Sequence, residues 1–126
     1  MRQLRDCSGP WVGFWTQGAQ RGSMRLTLRF HQERIAGEGD DRVGGFTIEG
    51  NFSESSGKVA FNKTYRSHDV FYDGTWDGAM IAGTWKFRRQ LRFTESHGEF
   101  EIWPERAEES IEAQLEAQEK LEPVGV

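Results

Sequence analysis

The sequence predicts a mainly β fold: an eight-stranded antiparallel up-and-down meander barrel with a C-terminal α-helix. Three observations carry this. Apolar and polar residues alternate with period two through eight segments, at 11–16, 24–30, 34–38, 45–53, 58–65, 69–76, 79–87 and 99–103, which is the pattern of half-buried strands. The separations are short and hold Gly, Asp, Asn or Ser, so successive strands are expected as antiparallel neighbours. Closing eight such strands into a barrel removes both exposed sheet edges. The 15 glycines and 13% aromatic residues suit strands and tight turns, and 126 residues can bury one core without staples.

Taken in order, the first strand (WVGFWT) carries Gly13-Phe14-Trp15, and the second and third (MRLTLRF, RIAGE) flank a short turn at 31–33. Closing the loop Glu54-Ser55-Ser56-Gly57 opposes Phe52 with Val59, Gly50 with Phe61, Ile48 with Lys63 and Phe46 with Tyr65. Closing residues 66–69 opposes Tyr65 with Val70, Lys63 with Tyr72, Phe61 with Gly74 and Val59 with Trp76. In the next hairpin, Asp77-Gly78 between alternating runs is read as a two-residue type I′ turn. It opposes Trp76 with Ala79, Gly74 with Ile81, Tyr72 with Gly83 and Val70 with Trp85. The three hairpins agree on one inward set.

Lys63 is the polar member of that set, a cation among Phe, Val, Ile, Tyr and Trp. Burying an ammonium is costly unless it is paired, so something must compensate it. One reading satisfies it structurally, through Tyr72, a water or a stem that snorkels to the barrel mouth. The other makes Lys63 and the tyrosines contacts for a ligand inside the barrel. Lys63→Met is neutral or stabilising where the amine is merely tolerated, and destabilising where an ion network depends on it.

The meander sorts the loops by end. Short turns gather at one end, whereas 17–23, 39–44, 66–68 and 88–98 gather at the other, the expected mouth, where binding groups usually sit. Candidate ligand-binding residues are therefore Lys63, Tyr65, Tyr72, Trp85 and Phe46 from the inward face, with Asp40, Asp41, Arg66 and His68 from the mouth loops; Arg88 and Arg89 are also placed there. Gly37-Glu38-Gly39-Asp40-Asp41 lacks the residues of a phosphate or calcium loop and reads as a turn with an Asx cap. His31, His68 and His97 have no paired spacing, so no metal or cofactor is expected. No catalytic residue is assigned, because no nucleophile with its base is visible.

The net charge of −4 is uneven. Residues 1–103 carry 14 Lys/Arg against 13 Asp/Glu, and 104–126 carry 2 against 7. A near-neutral body without a dense basic run gives no nucleic-acid footprint. No segment approaches the roughly 18 apolar residues of a membrane span, and the opening MRQLRDCSGP has no apolar h-region. With a single cysteine, Cys7, no disulfide framework is possible within the chain. These features set the expectation of a cytoplasmic protein that engages neither nucleic acid nor membrane. Residues 104–122 shift to a period near 3.6 and are expected as an acidic amphipathic helix after the 1–103 barrel domain, with 123–126 as a tail. That helix is expected to dock on its own barrel, with pairing of two copies as the alternative; the chain is a monomer or a homodimer.

Gly13-Phe14-Trp15, followed by an eight-stranded meander, resembles the Gly-x-Trp opening of the calycin barrels (lipocalins, fatty-acid-binding proteins and avidins). Residues 35–104 are similar to a further domain found in bacterial, protist and other eukaryotic proteins. The shared residues are Ile35-x-Gly-x-Gly-x-Asp, Gly45-Phe46-x-Ile48-x-Gly50, Val59-x-Phe61-x-Lys63-x-Tyr65, Gly83-x-Trp85 and Phe100-x-Ile102-Trp103-Pro104. The calycin likeness implies an internal ligand cavity; neither likeness assigns an activity. The expectation is a non-enzymatic binding module that holds a small, partly apolar ligand in or at the mouth of the barrel. The alternative is an interaction or structural domain with a filled interior.

Overall fold

The computed structural model describes residues 2–88 and 95–105. Its eight strands are β1 (Gly9–Gln17), β2 (Gln20–His31), β3 (Arg34–Asp41), β4 (Gly44–Phe52), β5 (Lys58–Tyr65), β6 (Asp69–Trp76), β7 (Ile81–Arg88) and β8 (Glu95–Pro104). They pair antiparallel in sequence order and close through β1 against β8 into one barrel. No described helix is long and apolar enough to cross a membrane.

Alternation sets the inside. On β2 every second residue from Gly22 to Phe30 is buried, and β5 buries Val59, Phe61, Lys63 and Tyr65. The core runs from Trp11, Phe30 and Phe52 at the short-turn end, through Phe61, Phe100 and Ile102, to Trp15 and Trp85 at the mouth. Each fully buried apolar side chain contributes roughly 1.5–3 kcal/mol, so the apolar wall dominates the stability of the fold. The short-turn end is covered by residues 2–8, where Leu4 and Cys7 are buried. This cover is tied down where Trp11 Nε1 donates to the Cys7 carbonyl at 2.8 Å and Trp76 Nε1 to the Arg2 carbonyl at 2.9 Å.

Strand lengths and two registers differ from expectation. The loops expected at 17–23 and 39–44 shrink to residues 18–19 and 42–43, because their polar residues continue the strands on the solvent face. The β4–β5 register is as expected, with Phe46 opposite Tyr65 and Ile48 opposite Lys63. Across β5–β6, however, Lys63 faces Val70 and Phe61 faces Tyr72. Tyr65 N–H donates to the His68 carbonyl at 2.8 Å, which tightens that turn by two residues. Across β6–β7, Trp76 faces Ile81, Gly74 faces Gly83 and Tyr72 faces Trp85. The turn moves one residue along, to Gly78-Ala79: Asp77 N–H donates to the Met80 carbonyl at 3.1 Å, and Asp77 Oδ1 accepts from the Ala79 and Met80 N–H groups at 2.8 and 2.9 Å. Such an Asx cap replaces the type I′ geometry. Both slips are by two residues, so every side chain keeps its face.

The expected helix over 104–122 and the tail 123–126 fall, apart from Pro104 and Glu105, outside the described residues. Pro104 is the last residue of β8, opposite Trp11, and not a first helical position. Arg89 also lies outside the described residues.

Candidate functional site

The buried polar residue and the mouth form one continuous constellation. Lys63 is fully buried (0% exposed). Its Nζ donates to Asp41 Oδ2 at 2.6 Å, to the Tyr72 hydroxyl at 3.2 Å and to Met24 Sδ at 3.6 Å. An ammonium has three protons to place, and all three are placed. The ring of Phe46 lies 4.3 Å from Nζ, and those of Tyr65 and Tyr72 at 5.1 and 5.3 Å, in cation–π range.

Asp41 is the anion that the sequence requires. Its side chain is 0% exposed, and it lies at the end of β3, where the turn to β4 lets it fold back into the barrel. Oδ1 accepts from the Val43 and Gly44 N–H groups at 2.9 and 3.3 Å, and Oδ2 from Lys63 and from the Tyr65 hydroxyl at 2.5 Å. Burial pushes this carboxyl up, but the hydrogen bonds from Lys63 and Tyr65, the Lys63 charge and the Val43 N–H outweigh it, so Asp41 is held below the ordinary carboxylate range. Burial pulls Lys63 below the ordinary lysine value, and the hydrogen bond and charge of Asp41 oppose that pull. Three donations from one nitrogen require the ammonium form, so we assign a charged pair. Tyr65 and Tyr72 are both pushed up, chiefly by burial and secondarily by Asp41, and remain protonated donors.

Above this network lies a cavity of about 200 Å³. Its floor and walls are Tyr72, Tyr65, Val70, Trp15, Trp85 and Phe87, and its rim is Gln17, Val43, His68 and Ser96. The walls are locked. Tyr72 stacks on Phe61 (centroids 5.0 Å, 12°) and meets Phe100 edge-on at 4.7 Å. Trp15 and Trp85 meet edge to face at 6.4 Å and 82°, and His68 lies between Tyr65 (4.9 Å) and Phe87 (4.7 Å). Each indole lies against a glycine on the adjacent strand: a Cβ on Gly22 would sit 2.3 Å from the Trp15 ring, and one on Gly98 would sit 2.6 Å from Trp85 Nε1. Only the bare backbone leaves room for these rings.

Several buried indole donors have acceptors. Trp85 Nε1 donates to the Thr16 carbonyl at 2.9 Å, and Trp11 and Trp76 donate to backbone carbonyls as described. Trp15 Nε1 is buried and has no partner among the described residues. The Tyr72 hydroxyl accepts from Lys63, and its own proton has no acceptor among them either.

The structure thus brings together Lys63, Asp41, Tyr65, Tyr72 and Phe46 in one network, and Tyr65, Tyr72, Trp85 and His68 around the cavity. Phe46 packs under Lys63 without lining the cavity. Asp40 and Arg66 do not join them. Asp40 is exposed on the outer wall, because alternation sends it opposite to Asp41, and Arg66 is exposed in the turn after Tyr65. The sequence reading missed Met24, Trp15, Val70 and Phe87 as site residues; strand alternation, applied to β1 and β2 as it was to β4–β7, is the signal that finds Trp15 and Met24.

No protein-family model matches the chain, and no curated protein matches it.

Proposed function

We propose that the protein is a non-enzymatic binding module that takes a small, partly apolar molecule at the mouth of a calycin-like barrel. What carries this reading is the cavity of about 200 Å³ walled by Trp15, Tyr65, Tyr72 and Trp85. At roughly 30 Å³ per water, it has room for about seven waters or a compact one- or two-ring compound. Rigid aromatic walls with few polar groups are the usual make-up of small-molecule sites. The barrel centre is filled by Phe61, Phe100 and their neighbours, so the site belongs to the mouth alone. Lys63 and Asp41 lie beneath it, outside its lining, where they hold Tyr65 and Tyr72 in place; they are not themselves ligand groups, since their hydrogen-bonding capacity is used by the protein.

Native mass spectrometry of the full chain with a library of small aromatic compounds tests this. Non-covalent adducts are expected that vanish on denaturation and in Val70→Phe, which fills the cavity. An absence of adducts, or adducts indifferent to that substitution, overturns the reading.

One observation favours an interaction domain instead. Phe14 and Trp103 meet edge to face at 6.2 Å on the outer wall of the β1–β8 pair. On that reading, sedimentation finds dimers that Trp103→Ser disperses.

A further inference from the structure

The polarity of the cavity narrows its ligand further than its size does, an inference that rests on the binding-module reading. Four buried polar side chains line it, and two of them already donate within the protein, Tyr65 to Asp41 and Trp85 to the Thr16 carbonyl; the two with a proton still to place among the described residues are Tyr72 and Trp15. The Tyr72 side chain is 2% exposed and its hydroxyl oxygen already accepts from Lys63, so what it has left to offer is a proton. Accepting from an ammonium polarises that O–H and strengthens it as a donor. Trp15 is 8% exposed, and Nε1 can only donate. A buried donor without an acceptor costs folding free energy, and a bound acceptor atom recovers it. Of the polar rim residues that could accept, Gln17 is exposed and His68 and Ser96 are half-buried.

Charge adds a second restriction. The Lys63 ammonium is neutralised by Asp41 at 2.6 Å, and the carboxylate of that pair acts on Tyr72. An anionic ligand therefore finds no uncompensated cation beneath the cavity. Shape adds a third. The cavity lies between the edge-to-face indoles of Trp15 and Trp85 and the rings of Tyr65 and His68, which stack, and of Phe87, which is tilted against His68, surfaces on which a flat ring packs well.

We propose that the mouth selects flat aromatic molecules that carry no negative charge and bear a carbonyl-type oxygen, which accepts a hydrogen bond from the Tyr72 hydroxyl or from Trp15 Nε1. Tyr72 reads the oxygen, the indoles read the ring, and the neutral Lys63–Asp41 pair beneath Tyr72 offers an anion no partner.

The test follows indole N–H and ring signals by NMR while the full chain is titrated with three probes of similar outline. These are coumarin (neutral, with a ring carbonyl), naphthalene (no acceptor) and 2-naphthoate (anionic). Coumarin is expected to shift the Trp15 and Trp85 signals and to bind about tenfold more tightly than either other probe, the factor of one well-made hydrogen bond. Tyr72→Phe is expected to weaken coumarin by about tenfold and leave naphthalene unchanged. Should that variant fail to melt cooperatively, Trp15→Phe makes the same comparison for the other donor. Naphthalene or naphthoate binding as well as coumarin, at shifted indoles, overturns the selectivity while leaving a binding cavity in place. Indole signals that respond to none of the three overturn both.

Discussion

Removing the Lys63 ammonium strands a carboxylate. The Asp41 side chain is 0% exposed, so Lys63→Met leaves a buried anion with only Tyr65 and two backbone N–H groups. Breaking one side of a buried pair costs about 3–5 kcal/mol, which chemical denaturation will read as a lowered midpoint with an unchanged slope. Combining Lys63→Met with Asp41→Asn should recover much of that loss, because the charge is removed while Oδ1 can still cap the Val43 turn. Acid probes the same pair. The folded pKa of Asp41 lies below its unfolded value near ~3.9. Its contribution is therefore complete above that value and disappears as pH falls through the folded pKa. Stability should drop more steeply below about pH 4 in the wild type than in the double variant; parallel curves would show that the pair is not the acid-sensitive element. At this scale the sequence was half informative. The need for a partner to Lys63 followed from burial alone, but choosing between Asp40 and Asp41 needed the strand to run to its last residue.

Turns are where local chemistry and strand pairing competed. Asp77-Gly78 has the composition of a two-residue hairpin, yet the Asp77 carboxylate accepts from Ala79 and Met80 and so moves the turn one residue on, to Gly78-Ala79. Composition could not reveal this, since the same Asp serves either geometry; the faces survived because the slip was even. The β2–β3 turn shows the reverse case. Gln32 and Glu33 both adopt left-handed backbone (φ 51° and 61°) without being Gly or Asn. Gln32→Asn should stabilise the domain by about 0.5–1 kcal/mol, as the left-handed region penalises Asn less. A melting temperature that does not rise would mean that Gln32 gains compensation elsewhere. Glu33 is the poorer site for the same change, because its carboxylate accepts from the Glu54 N–H at 3.0 Å.

For the whole molecule, eight-strand closure was legible because an alternating meander with short separations leaves few other ways to hide two edges. The cavity was not legible, because it depends on how far the wall residues fill the mouth, a matter of ångströms between rings. Closure also shapes how the chain reaches this state. The seam pairs Trp11 with Pro104 and Gly13 with Ile102, joining residues almost a chain length apart, whereas every other pairing is a local hairpin. Loop closure of that span is the slowest kind of contact to form. The β1–β8 zip should therefore come after the hairpins in folding. Glu105 N–H donates to the Pro10 carbonyl at 2.8 Å, so the two flanks of the seam already touch. A circular permutant that joins these flanks by a short linker and opens the chain within 54–57 would turn the seam into a hairpin and move the long-range step to β4–β5. The order in which amides gain protection from hydrogen exchange during refolding would then rotate around the ring, with the final barrel unchanged.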